Sequence, residues 1–287
     1  MLRVVAGPLL NRFAARTNFL IVIGGAALGL ILLAVSIGPL VMQTDALSFE
    51  RGKELLPPSA DHWFGTDRFG RDFFARVLEG GRVSLTAAFI AMSLILAIGI
   101  TLGAIAGYLG SWVDGAVMRI VDVLLALPPF VAAIAIAGLF GTGLQVILIG
   151  VVTLWWAWYA RITRGIVLQV KERLHVDAAK AAGATTFSIV FREIVPLAAG
   201  PVIVVATLDL GSLILTIAGL SFLGLGEQPP NPEWGTLLSE GRAYFLVSPH
   251  LTLFPGLMIF LTVLALNLLG EGLHERLDPY NLAGRGG

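Results

Sequence analysis

The chain lacks cysteine altogether, has only four histidines, and is poor in charge, with 13% charged residues among 287. Without cysteine, disulfides, thiolate metal sites and cysteine nucleophiles are excluded. The histidines, His62, His175, His250 and His274, are scattered and form no i, i+4 pair, so no transition-metal site is expected from this chain. The 19 basic and 19 acidic residues cancel, which leaves no global field to attract nucleic acid. The only Gly-Lys pair, Gly52-Lys53, is followed by Glu54 and not by Ser or Thr, so a phosphate-cradling P-loop is missing. No nucleophile and base, carboxylate pair or metal cluster stands at catalytic spacing, and no enzyme site is expected.

What the chain does have is apolar length. Hydrophobic residues make up 56%, mean hydropathy is +0.86, and the 13% charged stands against roughly 25% in ordinary soluble domains. These values identify an all-α integral membrane protein. Crossing about 30 Å of hydrocarbon takes about 20 helical residues. Charge-free runs place crossings near residues 19 to 41 and 83 to 108. The run from 123 to 160 is too long for one crossing; with Gly141-Thr142-Gly143 as its turn it predicts a third helix near 121 to 140 and a fourth near 144 to 159. A fifth falls within 197 to 226 and a sixth near 251 to 270, giving six transmembrane helices and both termini on one side.

Arg3, Arg12 and Arg16 in the first 17 residues, with no acid, predict a cytoplasmic N-terminus and hence a cytoplasmic C-terminus. The first apolar run exceeds the usual h-region of a cleaved signal, so an uncleaved helix is expected. The same rule makes the segment from 161 to 196 cytoplasmic, because Arg161, Arg164, Lys171, Arg173, Lys180 and Arg192 outweigh Glu172, Asp177 and Glu193. The loop from 226 to 250 holds Glu227, Glu233 and Glu240 against Arg242 and suits the outer face. Four regions follow: a tail and first helix (1–44), an extracytoplasmic segment with an interfacial helix (45–82), a five-helix core (83–275) containing the inner loop, and a C-terminal tail (276–287).

The inner loop is helix-forming. Asp177 suits a helix N-terminus, the alanines after it permit close approach of another surface, Gly183 marks a C-cap or bend, and Pro196 restarts the chain as it enters the fifth helix. An amphipathic loop lying on the membrane is the plain alternative. Between residues 45 and 82 there are 6 basic and 7 acidic residues. Asp67, Arg71, Asp72, Arg76 and Arg82 are expected either to brace an interfacial helix over 72 to 82 or to dock a partner, and Glu233 and Trp234 are equal candidates for docking. Asp209 is the one ionisable residue set deep in the hydrocarbon. It is expected to be paired or protonated, either as a hydrogen-bond anchor or as part of a translocation path. Trp155, Trp156, Trp158 and Tyr159, followed by Arg161, read as a headgroup-level anchor, and the glycines of 99 to 110 and 211 to 226 as close helix crossings.

Three blocks carry a family resemblance. Asp177-Ala178-Ala179, then Gly183, then Ile194-Val195-Pro196 resemble the EAA loop of bacterial ABC importer permeases, with Asp for the usual Glu and Val for Leu. Gly65-Thr66-Asp67, Gly70-Arg71-Asp72, Arg76, Gly80 and Arg82-Val83-Ser84-Leu85 are similar to a signature of the dipeptide, oligopeptide and nickel group. Leu220 to Gly226, followed by Glu233-Trp234-Gly235, also resembles that group.

The resemblance implies a type I ABC importer permease fold in the bacterial plasma (inner) membrane. The implied partners are a second homologous permease, two ATPase subunits and an extracytoplasmic solute-binding protein. No cofactor is implied on this chain, since ATP and Mg would sit on the ATPases. Asp177, Ala178, Ala179, Ala182, Gly183, Ala184 and Pro196 are implied as the ATPase-coupling loop. Small peptides are the first choice of cargo and nickel or metal chelates the alternative. A proton-coupled secondary transporter using Asp209 is the rival from another class; it predicts inverted repeats and more intramembrane charge.

Overall fold

The computed structural model describes residues 3–41 and 45–277. Ten α-helices occur among them, and no β-ladder beyond one isolated bridge. Five helices are long and apolar enough to cross a membrane, or six spans if one bent pair counts as one. The tail predicted at 276–287 lies outside the described residues from position 278 onward.

Helix α1 (Arg3–Val41) contains the first span. Helix α2 (Phe73–Leu109) is longer than predicted, because the expected interfacial helix and the second crossing are one continuous element of 37 residues. At 1.5 Å per residue it measures about 55 Å, so it outruns a hydrocarbon layer of about 30 Å and can keep Arg76, Glu79 and Arg82 out of it.

The third crossing differs from the sequence expectation. In place of a helix over 121 to 140, the chain forms α3 (Ser111–Ala126) and α4 (Pro129–Phe140), which meet at 91°. Leu127 and Pro128 each precede a proline, which disfavours helical backbone, and both are extended, with ψ of 133° and 117°. A charge-free run conceals such a break because hydropathy is blind to Pro128-Pro129.

Helix α5 (Leu144–Val170) continues three turns past Tyr159, taking Arg161 and Arg164 into the helix. After α6 (Leu174–Ala181) and a turn, α7 (Thr186–Ser188) leads through a π-helical turn, Ile189–Ile194, into α8 (Val195–Phe222). Pro196 therefore does not begin the fifth helix; helical structure starts ten residues earlier. The wide turn has a local cause. Pro196 offers no N–H to the Arg192 carbonyl and its ring crowds that group, and Val195 N–H bonds back to Val190 O in the i−5 pattern. Helices α9 (Trp234–Gly241) and α10 (His250–Leu277) complete the chain.

The described chain divides into two compact units. The first comprises the described residues of Met1–Ala88 and Thr207–Gly287 together with Thr142–Leu144; the second comprises Phe89–Gly141 and Gln145–Ala206. In the first, α1 packs along α10 at glycine contacts. A methyl group on Gly24 would sit 2.8 Å from Ala265 O, and one on Gly272 3.2 Å from Thr17 O. In the second, Gly99, Gly103 and Gly107 of α2 recur every four residues and face the carbonyls of Trp156, Ala160 and Arg164 on α5, also spaced by four. With little hydrophobic drive between helices in lipid, such small-residue stripes let backbones approach and gain van der Waals contact. Val121 of α3 packs on Ala157 and Ala160 of α5, and Asp114 and Asp122 pair with Arg164 and Arg161.

Candidate functional site

In the second unit, α5 ends where Lys171 Nζ donates to Gly107 O. Helix α6 then stands on a single deep anchor, Val176, which is fully buried in a cluster with Ala104, Val167, Val170, Ile189 and Ile194. Ala179 packs against the same cluster. The remaining positions predicted for coupling face outward: Asp177, Ala178, Ala182, Gly183 and Ala184 are exposed, and so is Pro196. Leu174, 87% exposed, and Phe187, 72% exposed, leave apolar surface beside them.

The turn after α6 is held by its own backbone. Gly183 N–H donates to Lys180 O and Ala184 N–H to Ala179 O, the paired bonds of a Schellman cap. The cap requires a left-handed residue, and Gly183 has φ of +78°. A side chain there would meet nothing within 4 Å, so strain and not collision opposes its substitution. Thr185 then caps the next helix by accepting from Ser188 N–H. Asp177 Oδ1 accepts from Lys180 Nζ at 3.0 Å, which raises the Lys180 ammonium above its ordinary pKa. Both partners are exposed, so the pair contributes little to stability.

In the first unit, the charged segment before α2 and the first turn of that helix fold into a buried ion-pair network. Gly70, with φ of +74°, makes the turn between the two Asp-bearing triplets, and a Cβ there would fall 2.0 Å from Glu50 O. Asp67 Oδ1 accepts from the N–H groups of Phe69 and Arg71, at 2.8 and 3.1 Å, while Oδ2 lies 2.6 Å from Arg71 Nε and 3.3 Å from Arg76 Nε. Arg76 Nη2 reaches Glu240 Oε2 at 3.1 Å and Nη1 donates to Pro230 O at 3.2 Å. Asp72 caps α2 by accepting from Ala75 N–H, and its second oxygen meets His62 Nδ1 at 2.9 Å. Arg71 and Arg76 are 1% and 0% exposed. Arg82, predicted to share in this bracing, is exposed instead and forms no ion pair with another described residue.

Glu233 and Trp234, considered above as docking residues, are fully buried and present no surface to a partner. Glu233 Oε1 accepts from Ser84 Oγ at 2.7 Å, and Oε2 accepts from Thr236 N–H at 3.0 Å, which caps α9. Trp234 Nε1 donates to Val77 O at 2.9 Å, and its ring covers Gly81 so closely that a Cβ there would lie 2.5 Å away. Two sequence blocks about 150 residues apart are thus one packed body, in which Ser84 and Glu240 take part unpredicted. No spacing rule could have paired Glu240 with Arg76, because the contact spans 164 residues.

Asp209 is half-buried in α8 and is not without a partner. Its neighbours Leu208 and Gly211 lie against Gly270 and Val263 of α10. Among the described residues, no cluster of His, Asp or Glu is arranged to hold a metal ion.

Residues 99–280 match the family described as the binding-protein-dependent transport system inner membrane component. A glutathione transport system permease protein of Pectobacterium atrosepticum is 44% identical over 222 residues, covering 77% of this chain and 74% of that protein. A dipeptide transport system permease protein of Alkalihalophilus pseudofirmus is 41% identical over 264 residues, 92% of this chain and 87% of the relative. A glutathione transport system permease protein of Escherichia coli is 46% identical over 222 residues, 77% and 73% of the two chains.

Proposed function

The chain belongs to the inner membrane components of binding-protein-dependent transport systems, and we propose that it forms half of a transmembrane path for small peptides, moved by ATP hydrolysis on partner subunits. It is a multi-pass permease of the inner membrane. Its partners in this reading are a second, homologous permease, two ATPases that carry ATP and Mg, and an extracytoplasmic solute-binding protein. The peptide cargo is supported by the names of the relatives, which transport dipeptides and glutathione.

One observation carries the coupling role. Helix α6 is fastened to its unit by Val176 and capped at Gly183, yet turns nearly every other side chain outward. A cytoplasmic platform of this kind transmits a push, because α5 leads into it and the π turn and α8 lead away. In this reading, closure of the ATPase pair displaces α6, and the displacement shifts the transmembrane helices between inward-open and outward-open arrangements. The outward face of Ala178, Ala182 and Ala184 is small enough for another surface to seat closely.

Ala182 gives the cleaner test, since a bulky group at Ala179 would overpack the cluster beneath it. Ala182→Trp should abolish ATP-dependent peptide uptake while the protein stays in the membrane at normal abundance. Uptake at the wild-type rate with normal abundance would refute the coupling role. Asp209→Asn should leave assembly intact and lower uptake of peptides with a free amino terminus if the carboxylate lines the path. Equal uptake of free and N-acetylated peptides before and after the change would assign it to packing alone.

A further inference from the structure

Within the first unit, the second halves of α8 and α9 and the first half of α10 border an open groove of about 500 Å³ whose lining is wholly apolar. Gly219 and Gly256 take up no side-chain volume there, and Leu215 and Phe260 on its margins are exposed. The lining positions on α10 run from Gly256 to Val263, a length of about 10 Å along the helix axis. Both α8 and α10 are membrane-spanning by length and composition, so the groove lies at a depth where hydrocarbon can reach it. Its outer end falls where α8 stops and α10 starts, at the depth of lipid headgroups.

That end carries a cation. Arg242 is exposed, and its guanidinium carbon lies 5.4 Å from the centre of the Phe222 ring, which itself lines the groove. The acids of the same connection are engaged elsewhere: Glu227 accepts from Asn231, Glu233 from Ser84 and Thr236, and Glu240 from Arg76. Arg242 forms no ion pair with another described residue. An apolar slot ending at an uncompensated cation matches an amphiphile with an anionic head.

We propose that this groove binds one acyl chain of an anionic phospholipid whose phosphate is held by Arg242. The site uses none of the residues of the coupling surface, and a lipid seated there fills space between α8 and α10 that side chains leave open. Covering by polypeptide would need both an apolar face and an acid placed opposite Arg242, whereas an anionic lipid supplies both in one molecule.

The test uses the chain in nanodiscs, with any subunits that copurify, containing phosphatidylglycerol or phosphatidylcholine with a photoreactive acyl chain. Peptide mapping after illumination should find phosphatidylglycerol attached to the segments holding Leu215 and Phe260. Arg242→Gln should lower that labelling about fivefold, the effect of one cationic side chain at a membrane surface. Gly219→Leu, which fills the groove, should abolish it, while labelling near Phe89 on α2 stays constant in both variants. Labelling that ignores Arg242 would mean ordinary annular lipid and would overturn the proposal. So would cross-links from photoreactive benzoylphenylalanine in place of Phe260 that run to polypeptide and not to lipid. Peptide uptake by cells carrying the same variants reports on coupling separately, so either reading can fail alone.

Discussion

Two charged regions of this chain use their side chains in opposite ways. Around the start of α2, Asp67, Arg71, Asp72 and Arg76 pair with one another, with His62 and Glu240 and with nearby backbone, while Glu233 bonds Ser84 and caps α9, and the arginines are sealed from solvent. Around α6, Asp177 and Lys180 form an exposed pair, and small side chains face outward above one buried valine. The difference separates a buried charge cluster from the exposed surface proposed for coupling. Deep burial makes the first intolerant of truncation, because removing one partner strands the others. Exposure makes the second tolerant of change in folding and sensitive only in what it touches.

The comparison can be broken at several points. Arg76→Ala removes the hub joining Asp67, Glu240 and Pro230 O, and should cost about 3–5 kcal/mol, the range for an orphaned buried ion-pair partner. Membrane abundance and the thermal midpoint in detergent would both fall, and an unchanged midpoint would show the cluster to be dispensable. Gly183→Ala sets a side chain at a left-handed position with open space around it, so its cost should be about 1–2 kcal/mol of local strain. Hydrogen exchange would read this as faster opening of residues 178 to 185, with the global midpoint hardly moved. Lys180→Gln breaks the exposed pair with Asp177 and should leave the thermal midpoint almost unmoved, because both groups are solvated. A larger loss there would mean that α6 relies on surface charge more than its geometry implies.

Much of this was legible in advance. Apolar runs located five of the six spans and the ends of several, because hydropathy over about 20 residues is a strong signal for lipid exposure. The α6 turn could be anticipated from Gly183, since only a left-handed residue closes that cap. The bend at Leu127-Pro128 was hidden by apolar composition, and the π turn before Pro196 arises from a missing donor whose effect lies upstream of the proline itself. The buried role of Glu233 and Trp234 was not legible for another reason. A carboxylate and an indole in a polar connection look like surface until Ser84, Val77 and Gly81 are brought beneath them by the fold. Charge content left open whether the segment from 45 to 82 pairs internally or docks a partner, and nothing in it announced that Glu240, beyond α8 in the sequence, meets Arg76.

Because the chain has no native cysteine, Ala182→Cys places a single thiol at the outward face of the α6 turn. The decisive measurement is thiol cross-linking from that position in the assembled transporter, with and without ATP, followed by identification of the attached chain. The account predicts adducts to an ATP-hydrolysing subunit whose yield changes with nucleotide state, and protection from a membrane-impermeant maleimide added outside the cell. Labelling by that maleimide in intact cells, or adducts confined to lipid in every nucleotide state, would contradict it.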